Sequence, residues 1–426
     1  MKKKLLLVLA LVAMISTSAV FAQGSDEKKD SADEKVTINV MYWDNVQKPV
    51  IDQAIVNFEA ANPNITVESS IVPWAQYWQK LQTSTVAGTA PDVFWMNVPT
   101  FPKYANNGLL LNLSDYVAEN NVDITKYPST LIDLFTKDGN LYAIPENYDT
   151  IAMVYNKALF DEAGVDYPTA DWTWDDLLAA AKKLTKDTDD GKQYGYMASY
   201  ENQSGYYNFI ASNGGYIISD DKKSSGFDTK ESKEAMQFLV DMIYKYGVSP
   251  DGQTMLEVNS PLDLFTSGRV AMTTCGDWSA PLIRDTLGDK ADFVAIPKSP
   301  NTNERKVIIH GLGWTGYAKT KHPEATFKFI QYLTSKEFNK VIGESGIVIP
   351  AYEGMADDWV NAIPEYNLQV FIDAVDYSYP YPFSNNTSEW MNYEVSAIKD
   401  AFTGTTTSDE AMNKIAAETN KILSQE

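Results

Sequence analysis

The sequence predicts an α/β protein with more than one hydrophobic core. Short apolar strands alternate with segments whose apolar residues recur at helical spacing, which favours a sheet covered by helices. The chain has 426 residues, which is long for one core and comfortable for two. A second alternation of strand and helix begins at Ile151, about a third of the way along, so we expect a second unit there.

The first unit is predicted to hold a mostly parallel sheet. Val36, Ile38 and Val40 alternate with polar residues, as in a strand that packs on one face. Apolar residues then recur at helical spacing before the next strand. Strand, helix and strand in this order are typical of parallel pairing. We predict strands at 36–43, 64–72 and 91–97, with helices between them.

The second unit repeats the alternation with clear helix signals. Thr173 precedes the apolar-periodic WDDLLAAAKKL, with Asp176 three positions later, which predicts a helix N-cap and an acidic first turn. The chain shows no fixed-period internal repeat. We predict strands at 268–274, 292–297 and 307–318 and helices over 235–246 and 323–335.

The N-terminus predicts export. Lys2 to Lys4 precede an apolar run over residues 5–15 and small residues that end at Ala22, the order of a signal peptide spanning residues 1–22. Residues 23–35 are almost devoid of apolar side chains and are expected to form a disordered leader. The one cysteine, Cys275, is far from Ala22, so we expect no lipid anchor and a buried structural thiol. The mature protein is expected to be soluble in the periplasm or extracytoplasmic space.

Several function classes have little support. The net charge of −22 argues against nucleic acid as a partner, because no basic stripe is available to neutralise phosphates. The two histidines, His310 and His322, lie near no nucleophile motif, and there is no HExxH, CxxC, P-loop or GxGxxG. We therefore expect no metal and no cofactor. Pairs of carboxylates suitable for a glycosidase are abundant, but any acidic chain offers them.

Aromatic residues are the informative excess. The chain has 10 tryptophans and 25 tyrosines, several beside Asp or Asn at the ends of predicted strands. Ligands bind outside the carboxyl ends of parallel strands, and a sugar ring needs a flat aromatic wall with hydrogen-bond acceptors at its rim. For any single tryptophan, a place in the core is an equally good explanation. The strand-end candidates are Trp43, Asp44, Trp95, Asn97, Trp278 and Trp314.

Four segments together resemble a known family. They are VPWAQYWQKLQTSTVAGTAPDVFWMN (72–97), LYAIPENYDTIAMVYNKALFDEAGVDYPTADWTWDDLL (141–178), FTSGRVAMTTCGDW (265–278) and HGLGWTGYAKTKHPEATFKFIQYL (310–333). The combination is similar to extracellular solute-binding proteins, family 1, the sugar-binding components of bacterial ABC importers, over nearly the whole mature chain.

This resemblance implies a periplasmic-binding-protein type II fold, in which two α/β lobes joined by crossing strands enclose a ligand cleft. The implied lobes are residues 36–145 plus 297–345 and residues 146–296 plus 346–426. We expect hinges near 145–150, 294–298 and 343–350. The implied protein is a monomer without catalysis that closes on a carbohydrate and delivers it to membrane permease subunits.

The resemblance also implies individual site residues. Asp149 stands six positions before Tyr155 and matches an acidic residue that meets sugar hydroxyls in the family. Trp278 matches a tryptophan that stacks on a sugar ring. The match at Trp43, Asp44 and Asn97 is looser. We also expect ligand contacts from Trp95, Tyr206, Trp314 and Trp390.

Three alternatives to an oligosaccharide receptor stay open at this point. Acidic and aromatic groups together could hold a polyamine. Tyr206 and Tyr207, adjacent in GYYNF, could ligate iron, although packing explains them better. A secreted polysaccharide-degrading enzyme is the catalytic alternative, and it would cleave an oligosaccharide that a receptor returns unchanged.

Overall fold

Two sheets organise the part of the chain that the computed structural model describes, residues 35–189 and 191–426. The predicted signal peptide and, apart from Lys35, the predicted leader lie outside the described residues. Among the described residues, no helix combines the length and apolar character needed to cross a membrane.

The strands are two to ten residues long. They are β1 (Val36–Tyr42), β2 (Ile65–Ile71), β3 (Val93–Asn97), β4 (Thr136–Lys137), β5 (Asn140–Leu141), β6 (Ala143–Asp149), β7 (Ile151–Asn156), β8 (Lys186–Thr188), β9 (Gly191–Gln193), β10 (Met272–Gly276), β11 (Ala291–Val294), β12 (Val307–Gly316), β13 (Ile349–Pro350) and β14 (Ser378–Pro380).

Helices cover both sheets. They are α1 (Lys48–Ala61), α2 (Trp74–Ala87), α3 (Phe101–Asn106), α4 (Ser114–Glu119), α5 (Ser129–Leu134), α6 (Lys157–Ala163), α7 (Trp174–Leu184), α8 (Tyr207–Ser212), α9 (Lys230–Tyr244), α10 (Gly252–Leu256), α11 (Leu262–Thr266), α12 (Ala280–Leu287), α13 (Pro323–Leu333), α14 (Lys336–Ser345), α15 (Ala356–Ala362), α16 (Gln369–Asp373), α17 (Thr387–Phe402) and α18 (Ser408–Leu423).

Local sequence signals account for many of these elements. Strand β1 buries Val36, Ile38 and Val40 and exposes the residues between them, as its alternation predicts. The cap predicted for α7 is confirmed: the Thr173 hydroxyl accepts from Asp176 N, and the Asp176 carboxylate accepts from Thr173 N at 2.9 Å. Because this capping box satisfies two otherwise free N–H groups, it fixes where α7 begins.

The larger sheet has the order β13-β6-β12-β3-β1-β2, with β14 paired to β12. Strand β1 is parallel to β2 and β3, but β12 is antiparallel to β3 and β6, and β6 is antiparallel to β13. The parallel pairing predicted for the three strands of the first unit is confirmed, but the complete sheet is mixed. Strand β12 enters this sheet from the second half of the chain and runs antiparallel to β3 and β6, a direction that local periodicity does not encode.

The smaller sheet has the order β10-β7-β11, and both pairs are antiparallel. All residues of β7 and β10 are buried, so helices cover both faces of this sheet. Cys275 in β10 is a buried free thiol, as the sequence predicts, and burial raises its pKa well above the ordinary value.

Thr150 is the single residue between the end of β6, in the larger sheet, and the start of β7, in the smaller sheet. Strand β6 keeps its pairing in the larger sheet as far as Asp149, and β7 begins the pairing of the smaller sheet at Ile151. The lobe boundary expected at residue 145 stays a prediction, and the change of sheet falls at Thr150. The chain returns between β11, in the smaller sheet, and β12, in the larger. The junction thus holds the ends of strands from both halves of the chain.

Candidate ligand-binding site

An aromatic cluster lies where β1, β3 and β12 are neighbours. The ring of Trp95 packs at 5.5 Å from that of Tyr42, 5.4 Å from Trp314 and 4.7 Å from Trp43. Tyr42, Trp95 and Trp314 are fully buried, whereas Trp43 is partly exposed. The structure thus brings together three predicted tryptophans, but of these only Trp43 reaches the surface.

Trp74 extends this cluster into solvent. It opens helix α2 directly after Pro73, and 53% of its surface is exposed. Its ring lies 5.0 Å from Trp43 and 5.8 Å from Trp78. An exposed ring supported from behind by other rings is a suitable stacking surface for a sugar. The strand-end pattern does not include Trp74, because this residue begins a helix.

Asp149 lies at the end of β6 and is 8% exposed. His310 Nδ1 on β12 is 3.1 Å from Asp149 Oδ2 and donates to it when that nitrogen carries a proton. Gln203 Nε2, from the chain segment before α8, donates to the same oxygen at 3.4 Å. The carboxylate thus has partners from both halves of the chain, and its contact with sugar hydroxyls stays a prediction.

Asp277 forms an acid pair with Asp149 across the junction of the two sheets. It follows β10, is completely buried, and accepts a hydrogen bond on Oδ1 from Thr150 N at 3.2 Å. Its Oδ2 has no partner among the described residues. Burial raises the pKa of Asp277 well above its ordinary value, and the charge of Asp149 raises it further. A pattern search cannot find such a residue, because its partner lies more than a hundred positions away.

Asp44 and Asn97 lie at the carboxyl ends of β1 and β3, as predicted. Asp44 accepts from Val46 N at 2.7 Å, and burial raises its pKa although this bond lowers it in part. Asn97 is 5% exposed and accepts from Thr100 N at 3.1 Å. Both oxygens therefore already serve local turns, and a ligand would have to share them.

Trp278 directly follows Asp277 of the acid pair, and its side chain is partly exposed to solvent. The side chain is 41% exposed and lies over Gly276. A Cβ at Gly276 would stand 1.9–2.3 Å from three atoms of the Trp278 ring, so only glycine permits this close approach. The six-membered ring of Trp278 is therefore held against the backbone at Gly276, while the side chain stays partly open to solvent.

Tyr206 and Tyr207 are fully buried and already have a partner. Their hydroxyl groups donate to the two carboxyl oxygens of Glu394 on α17 at 2.5 and 2.8 Å. Across residues 35–189 and 191–426, no group of three or more His, Cys, Asp or Glu side chains is placed to hold a metal ion. Iron binding by this tyrosine pair therefore has no support. Tyr206, which we expect to contact the ligand, lies inside the protein instead of at a surface.

Trp390 is likewise fully buried. It lies in α17, and its indole N–H donates to Ser384 Oγ at 3.0 Å. Neither face of this ring is exposed to solvent. A tryptophan on the buried side of a helix looks the same in the sequence as a tryptophan that contacts a ligand. The sequence therefore cannot distinguish a core residue from a ligand-binding residue at this position.

Comparison with known proteins places this geometry in context. The model of the bacterial extracellular solute-binding protein family matches residues 44–340. The chain is 28% identical to the arabinooligosaccharide-binding protein of Halalkalibacterium halodurans, over 68% of this chain and 65% of that protein. It is 24% identical to the galactooligosaccharide-binding protein of Bacillus subtilis, over 97% and 96%.

Solved structures agree with these matches. An ABC substrate-binding protein from Listeria monocytogenes, in complex with cycloalternan, superposes with a TM-score of 0.86 at 28% identity. The match covers 92% of this chain and all of that one. The two-lobed fold that the sequence resemblance implies is therefore confirmed.

Proposed function

Because the chain belongs to the bacterial extracellular solute-binding protein family, we propose that it binds an oligosaccharide and delivers it to the permease subunits of an ABC importer. The observation that carries this proposal is the arrangement around Thr150. The acid pair Asp149 and Asp277 lies at the junction of the two sheets, and the exposed ring of Trp278 adjoins it directly. The names of similar proteins support an oligosaccharide as the ligand class.

The proposed contacts divide between the lobes. In the first lobe, Trp43 and Trp74 offer the aromatic wall and Asp149 offers a carboxylate to sugar hydroxyls. In the second lobe, Trp278 stacks on the opposite side of the ligand. Binding to one lobe and then the other shifts the population towards the closed form, with the crossing at Thr150 as one hinge.

The protein is proposed to return its ligand unchanged. It is further proposed to be exported and to act without a lipid anchor, since its one cysteine, Cys275, is buried in β10 and far from Ala22.

Native mass spectrometry of protein purified from its own organism would identify any retained sugar, and titration calorimetry would then measure its Kd. Trp278→Ala is expected to weaken binding by about 1–3 kcal/mol, the range of a well-packed aromatic contact. Tyr167→Ala is a matched control, because Tyr167 is 39% exposed and packs on Tyr155 at the far end of β7. Equal losses in both variants would contradict the site, and shortened sugar after incubation would contradict simple delivery.

A further inference from the structure

Glu146 is a buried carboxyl group at an irregular point of β6. The register between β6 and β12 shifts here, since Leu312 pairs with Asn147 and Gly313 with Pro145. Glu146 is the extra residue of this β-bulge and is 1% exposed. Neither carboxyl oxygen has a hydrogen-bond partner among the described residues. Bulges re-aim side chains and occur often beside binding sites, so this irregularity needs an explanation.

Two indoles approach this carboxyl group. The N–H groups of Trp95 on β3 and Trp314 on β12 interact with Glu146, although neither forms a hydrogen bond of ordinary geometry and neither has another partner within residues 35–189 and 191–426. The two rings pack 5.4 Å apart, and both are fully buried. They cannot stack on a ligand themselves in this conformation, but they can support rings that do.

The buried indoles connect to the surface through ring contacts. Trp95 packs at 4.7 Å against Trp43, which packs at 5.0 Å against the exposed Trp74. Because packed interiors transmit displacement, a shift of Trp95 moves Trp43 and Trp74 with it. Glu146 is therefore linked to the aromatic wall, Trp43 and Trp74, by the contact of Trp95 with Trp43 and the contact of Trp43 with Trp74.

We propose that Glu146 is a positioning residue for the aromatic wall of the ligand site, which holds Trp95 and Trp314 in one arrangement when ionised and in another when protonated. An ionised carboxylate accepts from both indole N–H groups, whereas protonation turns one oxygen into a donor that neither indole can accept from. Affinity for the sugar then depends on the proton at Glu146. This inference rests on the proposed function.

The surroundings of Glu146 favour titration near neutral pH. Burial raises its pKa to about 8, the charges of Asp44 and Asp149 raise it, and the two indole N–H groups lower it in part. Strands β3 and β13 contain no ionisable side chain, and β12 contributes His310, which is paired with Asp149. From β1, Tyr42 brings a buried hydroxyl that has no hydrogen-bond partner among the described residues. The groups that act on Glu146 are thus two acids, Asp44 and Asp149, and two neutral indole donors.

The first test needs no ligand. The indole N–H resonances of the ¹⁵N-labelled mature protein are followed across the pH range around 8 and assigned with Trp95→Phe and Trp314→Phe. We expect the Trp95 and Trp314 signals to shift together with one midpoint, and Glu146→Gln to abolish that shift. Glu394→Gln should retain it, because Glu394 has an equally raised pKa but its hydrogen bonds come from tyrosines. Independent or absent shifts in the wild type would overturn the proposal, even if Glu146→Gln does not fold.

The second test concerns the sugar. Calorimetry on either side of the midpoint should show a change in Kd for the wild type and none for Glu146→Gln. If the indoles titrate but the wild-type Kd does not change, the link from Glu146 to the ligand site is refuted while the proposed function stands. If no oligosaccharide binds although the indoles titrate, the proposed function fails instead.

Discussion

Replacing Gly276 with alanine tests whether Trp278 is a stacking platform without removing the ring. Gly276 has φ −86°, so alanine fits the backbone. The added Cβ would stand 1.9 Å from the nearest ring atom, whereas ordinary contacts begin at 3.4 Å. The ring must therefore move by about 1.5 Å, more than the gap that already forfeits a quarter to a half of a dispersion contact.

Because the ring is displaced towards the space of the ligand, we expect Gly276→Ala to weaken sugar binding by about 1–3 kcal/mol, or roughly 5- to 150-fold in Kd. The free energy of unfolding should change little, since the ring moves into solvent. Titration calorimetry with the identified sugar measures the loss.

A double mutant separates this mechanism from general damage. If Gly276 acts only through Trp278, the Gly276→Ala/Trp278→Ala double mutant binds as Trp278→Ala alone. A wild-type Kd for Gly276→Ala would refute the platform. Additive losses would show that Gly276 acts through another contact.

Three further substitutions have distinct expected outcomes. Asp149→Asn should weaken sugar binding by about 1.5–3 kcal/mol, the range for a hydrogen bond to a charged group. An unchanged Kd by calorimetry would show that Asp149 has only a structural role. Trp390→Phe removes the donor to Ser384 in the core and should lower the free energy of unfolding by about 1–3 kcal/mol with the Kd unchanged; weaker binding at normal stability would contradict its assignment to the core. Burial raises the pKa of Glu394 from 4.5 to about 8, so the folded state holds its proton more tightly and this stabilisation is lost as the pH rises between those values. Thermal melts should therefore show a steeper fall in Tm across that range for the wild type than for Glu394→Gln, and parallel curves would contradict this.

Periodicity was sufficient for several elements but not for their directions. The strands predicted at 36–43, 91–97 and 307–318 are present as β1, β3 and β12 within a few residues. The antiparallel course of β12 depends on how the second half of the chain returns to the first sheet. That return is a long-range choice without a local signal.

For the site, strand-end reasoning selected Trp43 and Asp44, and the family resemblance selected Asp149, but neither could separate exposed rings from buried ones. Trp95 and Trp314 satisfy the same pattern as Trp43, yet both are fully buried and pack against each other and against Tyr42. The position of the Trp278 ring depends on the missing side chain of Gly276, and the exposure of Trp74 depends on a helix start after Pro73. These are properties of packing, which become visible only in three dimensions.

The burial of Cys275 has a practical consequence for measuring domain closure. Its side chain is 4% exposed and its pKa is raised, so the thiolate that reacts with maleimide dyes is scarce and shielded at neutral pH. Because the chain has no other cysteine, two cysteines introduced on the outer helices of opposite lobes can carry a donor and an acceptor fluorophore in the otherwise native protein. Single-molecule energy transfer could then follow opening and closing at each sugar concentration without first removing a native thiol.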